Sequence, residues 1–121
     1  MIGADTGFFF ALREGDPVAL GIFENEDIAV SVLTRFELKR LAHRRGIPWP
    51  DLGALVSRSM TELELTGDAA DEAASISHGT GIPAIDALIL SSLLAAGCRV
   101  IYTRDEHMLR FERKGVEIIR L

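Results

Sequence analysis

Short apolar runs alternate with longer amphipathic segments along the chain. Apolar and β-branched runs, and one stretch of alternating polar and apolar positions, predict strands over residues 2–4, 28–31, 62–66, 98–102 and 116–120. Helical signals predict helices over 16–24, 34–45, 49–60, 68–77 and 83–96, a helical or irregular turn over 6–12 and a short helical piece over 105–111. Strands that alternate with helices indicate an α/β fold whose mostly parallel sheet is covered on both faces.

Capping residues support several of these helices. Asp16 and Pro17 have the identities of an N-cap and a first helical residue, and Asp68 is the predicted cap of an alanine-rich helix. Gly46 and Gly97 predict the ends of two other helices. Residues 78–81 are predicted to form a loop.

Two acidic residues follow predicted strands. Asp5 comes directly after the first strand, and Asp105 lies three residues beyond Tyr102, the last residue of the fourth. In parallel sheets, ligands bind beyond the carboxyl ends of the strands. We therefore expect both carboxylates at the edge of the sheet that carries the functional site.

Two further acids have apolar neighbours in predicted helices. Asp86 is the only formally charged residue between Glu72 and Arg99. Glu37 shares a helical row with leucines four residues away on either side. Each of the four acids also has a structural explanation, which stays open at this point: a strand-end turn for Asp5, a capping box with Thr34 for Glu37, a first-turn helix acid for Asp86 and an N-cap for Asp105.

The four acids together favour a metal site. Carboxylates brought close together oppose each other's ionisation unless a cation compensates them. Hard divalent ions bind such oxygen ligands, and Mg²⁺ combines one or two carboxylates with water and phosphate oxygens. We therefore expect Mg²⁺ or Mn²⁺ beside Asp5.

The composition is that of one soluble domain. The 121 residues suffice for a single hydrophobic core, so we expect one domain over residues 1–121. The single cysteine, Cys98, excludes an internal disulfide, and no segment has the features of a signal peptide or a membrane span. We expect a cytoplasmic protein with no membrane partner. The net charge of −5 argues against a protein that coats nucleic acid, but not against a nuclease.

Other polar and aromatic groups have weaker signals. The basic residues Lys39, Arg40, Arg44 and Arg45 could receive phosphates near Glu37, although such a run is more often a solvated helix end. The aromatic run at residues 8–10 favours packing over base stacking. The three histidines share no common spacing, so no catalytic or metal-binding role is assigned to them.

At the four acids the sequence resembles the PIN domain, and within it the VapC-like toxins of prokaryotic type II toxin–antitoxin systems. The segment IGADT resembles the family's first strand and first acid, and SVLTRFELKRLA resembles the helix of the second. The segment IPAIDALILSSLLAAGCRVIYTRDEHM resembles the third acid's helix, the next strand and the fourth acid, with Asp86 and Asp105 spaced 19 apart.

The resemblance implies a three-layer α/β/α sandwich with a five-stranded mostly parallel sheet. It also implies an endoribonuclease that requires Mg²⁺ or Mn²⁺ and hydrolyses single-stranded RNA, or a structured RNA loop, with metal-activated water. The implied roles are metal binding by Asp5, Asp86 and Asp105, completion of the catalytic site by Glu37, and support by Thr6 and Thr103. Many relatives are homodimers that an antitoxin silences. We therefore expect this protein to form a homodimer and to bind an antitoxin.

The sequence departs from the family pattern at two places, and it leaves alternative functions open. Gly7 stands where relatives often have Asn or Ser, so a backbone donor or water must replace that side chain, and His107 stands where an aromatic residue is common. A receiver domain would need a second acid beside Asp5, and a haloacid dehalogenase-like phosphatase would need an acid at position 7. The remaining alternatives are a non-catalytic PIN-like module that binds RNA or protein, and a housekeeping RNA-processing nuclease.

Overall fold

A five-stranded parallel sheet lies at the centre of the molecule, seen in a computed structural model that describes residues 1–46 and 49–121. All four pairs of neighbouring strands are parallel, in the order β3-β2-β1-β4-β5. The strands are β1 (Ile2–Ala4), β2 (Ile28–Ser31), β3 (Thr61–Leu63), β4 (Val100–Thr103) and β5 (Glu117–Arg120). The strand order reverses between β1 and β4, and this is where an open α/β sheet forms its binding crevice.

Helices follow each strand except the last. The helices in the described part of the chain are α1 (Thr6–Glu14), α2 (Pro17–Asn25), α3 (Val32–Arg45), α4 (Trp49–Ser59), α5 (Gly67–Thr80) and α6 (Ala84–Ala95), with a 3₁₀ turn at Met108–Arg110. No helix among the described residues is both long and apolar enough to cross a membrane.

Two hydrophobic clusters cover the two faces of the sheet. Ile28 and Val30 belong to one cluster and Ala29 to the other, because successive side chains of a strand point to opposite faces. The first cluster contains the buried side chains of α1 and α2, and the second contains those of α5 and α6. The molecule is therefore the expected α/β/α sandwich.

Gly3 lets helix α6 approach the central strand closely. A Cβ atom at Gly3 would lie 3.0 Å from Leu93 Cδ1 and 3.2 Å from Ile101 Cγ1. A larger residue would require these side chains to shift. This close packing fixes the first turn of α6, which carries Asp86, relative to the end of β1, which carries Asp5.

Three predicted helix boundaries were wrong, and side-chain caps explain two of them. Helix α3 begins at Val32 rather than Thr34 because the Ser31 hydroxyl accepts a hydrogen bond from the Leu33 amide (3.1 Å). Thr66, rather than Asp68, caps α5, accepting from the Ala69 amide (3.1 Å). Helix α5 also continues through the predicted loop at residues 78–81, and ends at Gly81, whose φ is 75°.

Other elements differ from the prediction in extent. Strand β3 is shorter than the predicted strand over residues 62–66, and only a 3₁₀ turn forms within 105–111. The segment after β1, predicted as a helix or an irregular turn, is a regular helix. The remaining strands and helices match their predicted positions to within a few residues.

Candidate active site at the carboxyl edge of the sheet

Four acidic side chains line one cavity of about 250 Å³ at the point where the strand order reverses. Each comes from a different element: the end of β1, the second turn of α3, the first turn of α6 and the loop after β4. These acids are the four predicted from the sequence, Asp5, Glu37, Asp86 and Asp105. The remaining lining residues are Thr6, Gly7, Phe10, Ile89 and Arg104.

Asp5 is held by hydrogen bonds to both of its carboxylate oxygens. The side chain is only 5% exposed. Its Oδ1 accepts a hydrogen bond from the Gly7 amide (2.9 Å), and its Oδ2 accepts one from the Thr103 hydroxyl. Burial raises the pKa of Asp5 to about 6, and the nearby charge of Asp105 adds to the effect. The expected strand-end turn at Asp5 therefore exists, within the cavity of the acids.

Gly7 explains the first departure from the family pattern. Its amide is the donor to Asp5, so the backbone makes a hydrogen bond in place of the absent side chain. A Cβ atom at position 7 would lie 2.8 Å from Arg104 Cβ. The close approach of α1 to the loop after β4 therefore requires glycine.

Thr103 links the acids that follow β1 and β4. The side chain is completely buried at the end of β4. Its hydroxyl donates to Asp5 and accepts a hydrogen bond from the Asp105 amide (2.8 Å). One hydroxyl therefore sets the position of one carboxylate and of the backbone that carries another.

Glu37 does not form the capping box with Thr34. Since Ser31 is the N-cap of α3, Glu37 lies in the second turn and Thr34 lies inside the helix. The Glu37 Oε1 instead accepts a hydrogen bond from the Thr6 hydroxyl (2.6 Å), across the gap between α1 and α3. This contact points Glu37 toward the other three acids.

Asp86 and Asp105 act on each other's ionisation. Burial raises the pKa of Asp86 to about 7, and the neighbouring Asp105 adds to this shift. Partial burial acts to raise the pKa of Asp105 as well, but its contacts with Asp86 and His107 outweigh burial, so the pKa is lowered. The two carboxylates are therefore crowded in the absence of a cation.

Asp86, Asp105 and His107 are candidate ligands for one metal ion. One ligand atom of each lies within 4.8 Å of the others. Carboxylate oxygens are the ligands that hard divalent ions prefer. The Asp105 Oδ1 already accepts from the His107 amide (2.9 Å) and lies 3.0 Å from the ring Nδ1.

Three residues of the site have no role in the sequence-based assignment. Arg104 lines the cavity and donates to Glu14 (2.7 Å). Phe10, expected to serve packing, also lines the cavity, and His107 lies beside Asp105. Two of these residues could have been found from their neighbours in the sequence. Arg104 lies between Thr103 and Asp105. His107 lies two residues after Asp105, which is the spacing of a turn in which a side chain accepts from a backbone amide.

Comparisons with known proteins identify the fold and the family. The sequence profile of the PIN domain matches residues 4–114. A toxin–antitoxin complex from Klebsiella pneumoniae has the same fold, with 19% identity, a TM-score of 0.73 and coverage of 96% of this chain and 95% of that one. No curated protein matches the chain in sequence.

Two more solved structures share the fold. VapBC2 from Rickettsia felis, bound to a promoter DNA fragment, is 15% identical with a TM-score of 0.72, over 99% of this chain and 98% of that chain. The sarcin-ricin loop cleaving toxin VapC20 of Mycobacterium tuberculosis is 19% identical, with a TM-score of 0.72, over 90% of this chain and 93% of that chain. The likeness to these VapC toxins is one of fold, and the match to the domain profile spans nearly the whole sequence. The chain therefore belongs to the PIN domain family.

Proposed function

We propose that this protein is a Mg²⁺- or Mn²⁺-dependent endoribonuclease that hydrolyses single-stranded RNA or a single-stranded loop. The observation that carries the proposal is the convergence of four carboxylates on one cavity, two of them with a raised pKa. Such a cluster is unfavourable without a cation and matches the oxygen ligands of hard divalent ions. VapC20, a structural neighbour that cleaves the sarcin-ricin loop, supports RNA as the substrate.

The proposed metal ligands are Asp5, Asp86 and Asp105. When bound, the ion would lower the pKa of water and neutralise charge on the scissile phosphate. Thr103 holds the Asp5 carboxylate in one orientation by donating to Oδ2. The Asp5 side chain would therefore lose less conformational freedom when it binds an ion.

Glu37 is the proposed base that orients and deprotonates the attacking water. The Thr6 hydroxyl fixes Oε1 of this carboxylate, which leaves Oε2 to accept the proton. No serine or cysteine side chain lines the cavity in the described part of the chain. Water is therefore the proposed nucleophile, and cleavage should leave a 5′-phosphate without using the RNA 2′-OH.

An assay with end-labelled RNA tests the proposal. We expect cleavage with Mn²⁺ or Mg²⁺, and none with EDTA, with Asp5→Ala or with Asp105→Asn. Asp68→Asn, which changes an exposed acid on α5, is the matched control and should keep full activity. Activity that survives both EDTA and the Asp5 change would refute metal-dependent hydrolysis. A 2′,3′-cyclic phosphate product would refute water as the nucleophile.

We also propose that the protein is a cytoplasmic toxin controlled by an antitoxin. Complexes of toxins with antitoxins among the structural neighbours support this role. Expression of the wild type should arrest growth, and Asp5→Ala should not. A small neighbouring reading frame should relieve the arrest and its product should copurify with the protein. A housekeeping nuclease would cleave RNA without arresting growth, and a non-catalytic module would do neither.

A further inference from the structure

Helix α3 carries an unusual concentration of positive charge for this protein. It holds five of the thirteen Lys and Arg residues of the chain but only one of the eighteen Asp and Glu residues, Glu37. The protein as a whole has a net charge of −5. A basic helix that also carries a site carboxylate therefore differs in charge from the rest of the molecule.

Two arginines of this helix line a groove next to the acids. The groove has a volume of about 230 Å³ and lies between α1 and α3, with Arg40 and Arg44 at one end and Thr6 and Glu37 at the other. Arg40 and Arg44 are four residues apart, so their side chains project from the same face of the helix. Neither forms an ion pair with any residue in the described part of the chain.

Phe10 joins the groove to the cavity of the acids. Thr6, Phe10 and Glu37 line both spaces, so the two are adjacent. Phe10 is only partly buried, whereas its neighbours Phe8 and Phe9 are buried in the core. An aromatic ring beside two unpaired guanidinium groups is the combination that binds single-stranded nucleic acid, by stacking on bases and by contacting phosphates.

We infer that this groove, defined by Phe10, Arg40 and Arg44, binds the RNA strand on one side of the scissile phosphate. The inference rests on the proposed function and adds the path of the substrate. Arg40 and Arg44 would each contact a backbone phosphate, and Phe10 would stack on a base next to the cleaved bond. The side chains shared with the acid cavity favour RNA over an acidic protein segment, because the scissile phosphate must lie at the acids while the rest of the strand lies in the groove.

Salt-dependent RNA binding tests the inference without relying on cleavage. Fluorescence anisotropy with a labelled single-stranded RNA, in EDTA so that the RNA stays intact, gives the Kd at several salt concentrations. We expect Arg40→Gln/Arg44→Gln to weaken binding about tenfold and to reduce the slope of log K against log salt by about 1.4, since each phosphate contact on a single strand contributes about 0.7. Phe10→Leu should weaken binding to a similar extent with an unchanged slope.

A double variant at the opposite edge of the sheet is the matched control. Arg99 and Lys114 are exposed and precede β4 and β5, so Arg99→Gln/Lys114→Gln removes the same charge far from the acids. This variant should bind RNA like the wild type. Equal losses in both double variants would show a general charge effect and would overturn the inference.

The test also separates this inference from the proposed function. If the wild type cleaves RNA while Arg40→Gln/Arg44→Gln keeps its Kd and salt slope, only the groove assignment fails. If the wild type neither binds nor cleaves RNA, the proposed function fails as well. Unchanged RNA binding with loss of antitoxin binding would assign the groove to the protein partner and would also overturn the inference.

Discussion

Asp86 occupies the first turn of α6, where a carboxylate complements the partial positive charge of the helix N-terminus. It also faces Asp105, and burial and this neighbour raise its pKa. The two roles have opposite consequences for the metal-free protein. A helix acid would stabilise the fold, whereas a carboxylate crowded by other acids would oppose it.

The change Asp86→Asn separates these roles. We expect the metal-free free energy of unfolding to stay the same or to rise by up to about 1 kcal/mol, because the amide removes repulsion and can donate to Asp105. Saturating Mn²⁺, at about a hundred times its Kd, should stabilise the wild type by about 2.7 kcal/mol and the variant far less. Urea unfolding with and without Mn²⁺ gives both quantities.

Asp68→Asn is the control for the helix-dipole effect, since Asp68 is an exposed acid in the first turn of α5. Its free energy of unfolding should fall by about 0.3–1 kcal/mol. Mn²⁺ should stabilise this variant as much as it stabilises the wild type. If Asp86→Asn destabilises the metal-free protein as Asp68→Asn does and leaves the Mn²⁺ response intact, Asp86 is a structural helix acid.

Single residues of the site were predictable where their chemistry conflicted with their surroundings. Asp86 lies in an apolar helix and Glu37 in a leucine row of its helix, and a carboxylate in such a place needs an explanation. Phe10 and Arg104 carry no such conflict, because an aromatic residue in an apolar run and an arginine in a loop are ordinary. Their place at the site depends on how α1 packs against the loop after β4, which sequence spacing does not specify.

The contact between α1 and the loop after β4 depends on Gly7. A Cβ at this position would lie 2.8 Å from Arg104 Cβ, so Gly7→Ala must displace the loop that carries Asp105. We expect a loss of about 1–3 kcal/mol of stability together with weaker Mn²⁺ binding. Urea unfolding and metal titration measure the two effects.

Gly21→Ala is the matched change in the next helix. A Cβ there would meet no atom within 4 Å, so we expect alanine to be neutral or stabilising by up to about 1 kcal/mol through its higher helix propensity. Similar changes in stability and in Mn²⁺ binding for the two variants would contradict the assigned role of Gly7 in positioning the loop.

At the scale of elements, the presence and approximate positions of the strands and helices were predictable, but several helix starts were not. The sequence offered two hydroxyl caps for α3, Ser31 and Thr34, and Thr34 also matched a capping box. The structure uses Ser31 because the chain turns directly from β2 into α3. The earlier start places Glu37 in the second turn, where it accepts a hydrogen bond from Thr6, so a local boundary decides which side chain this carboxylate contacts.

Self-association remains a prediction for the whole molecule, but the structure changes which apolar surface supports it. The uniformly apolar helix α6 would favour self-association if its apolar residues were exposed, but α5 and the sheet bury most of them. The apolar surface that is exposed lies elsewhere and includes Val18 on α2 and Phe36 on α3, at 57% and 54% exposure. We still expect a homodimer, and sedimentation showing only a 13.2 kDa species at micromolar concentration would contradict it.

The acid cluster also sets how the stability of the whole metal-free protein depends on pH. The pKa of Asp5 is raised to about 6 and that of Asp86 to about 7, both from 3.8. The folded state therefore binds these protons more tightly than the unfolded state. Their stabilising contribution is complete below about pH 4 and is lost as the pH rises through 6 and 7. The lowered pKa of Asp105 acts in the opposite direction, but only below about pH 4.

We therefore expect the free energy of unfolding in EDTA to fall between about pH 4 and pH 7, the interval between the unfolded-state and folded-state pKa values. The buried Asp5 alone accounts for a change on the order of 3 kcal/mol across its full titration, since one pKa unit corresponds to about 1.4 kcal/mol. Urea unfolding at each pH measures the decline, and Asp86→Asn should flatten its upper part. Saturating Mg²⁺ should remove most of it, because the bound ion favours the charged carboxylates. Stability that rises with pH in EDTA would mean that the four acids are not crowded in the folded protein, and the metal site inferred from them would lose its physical basis.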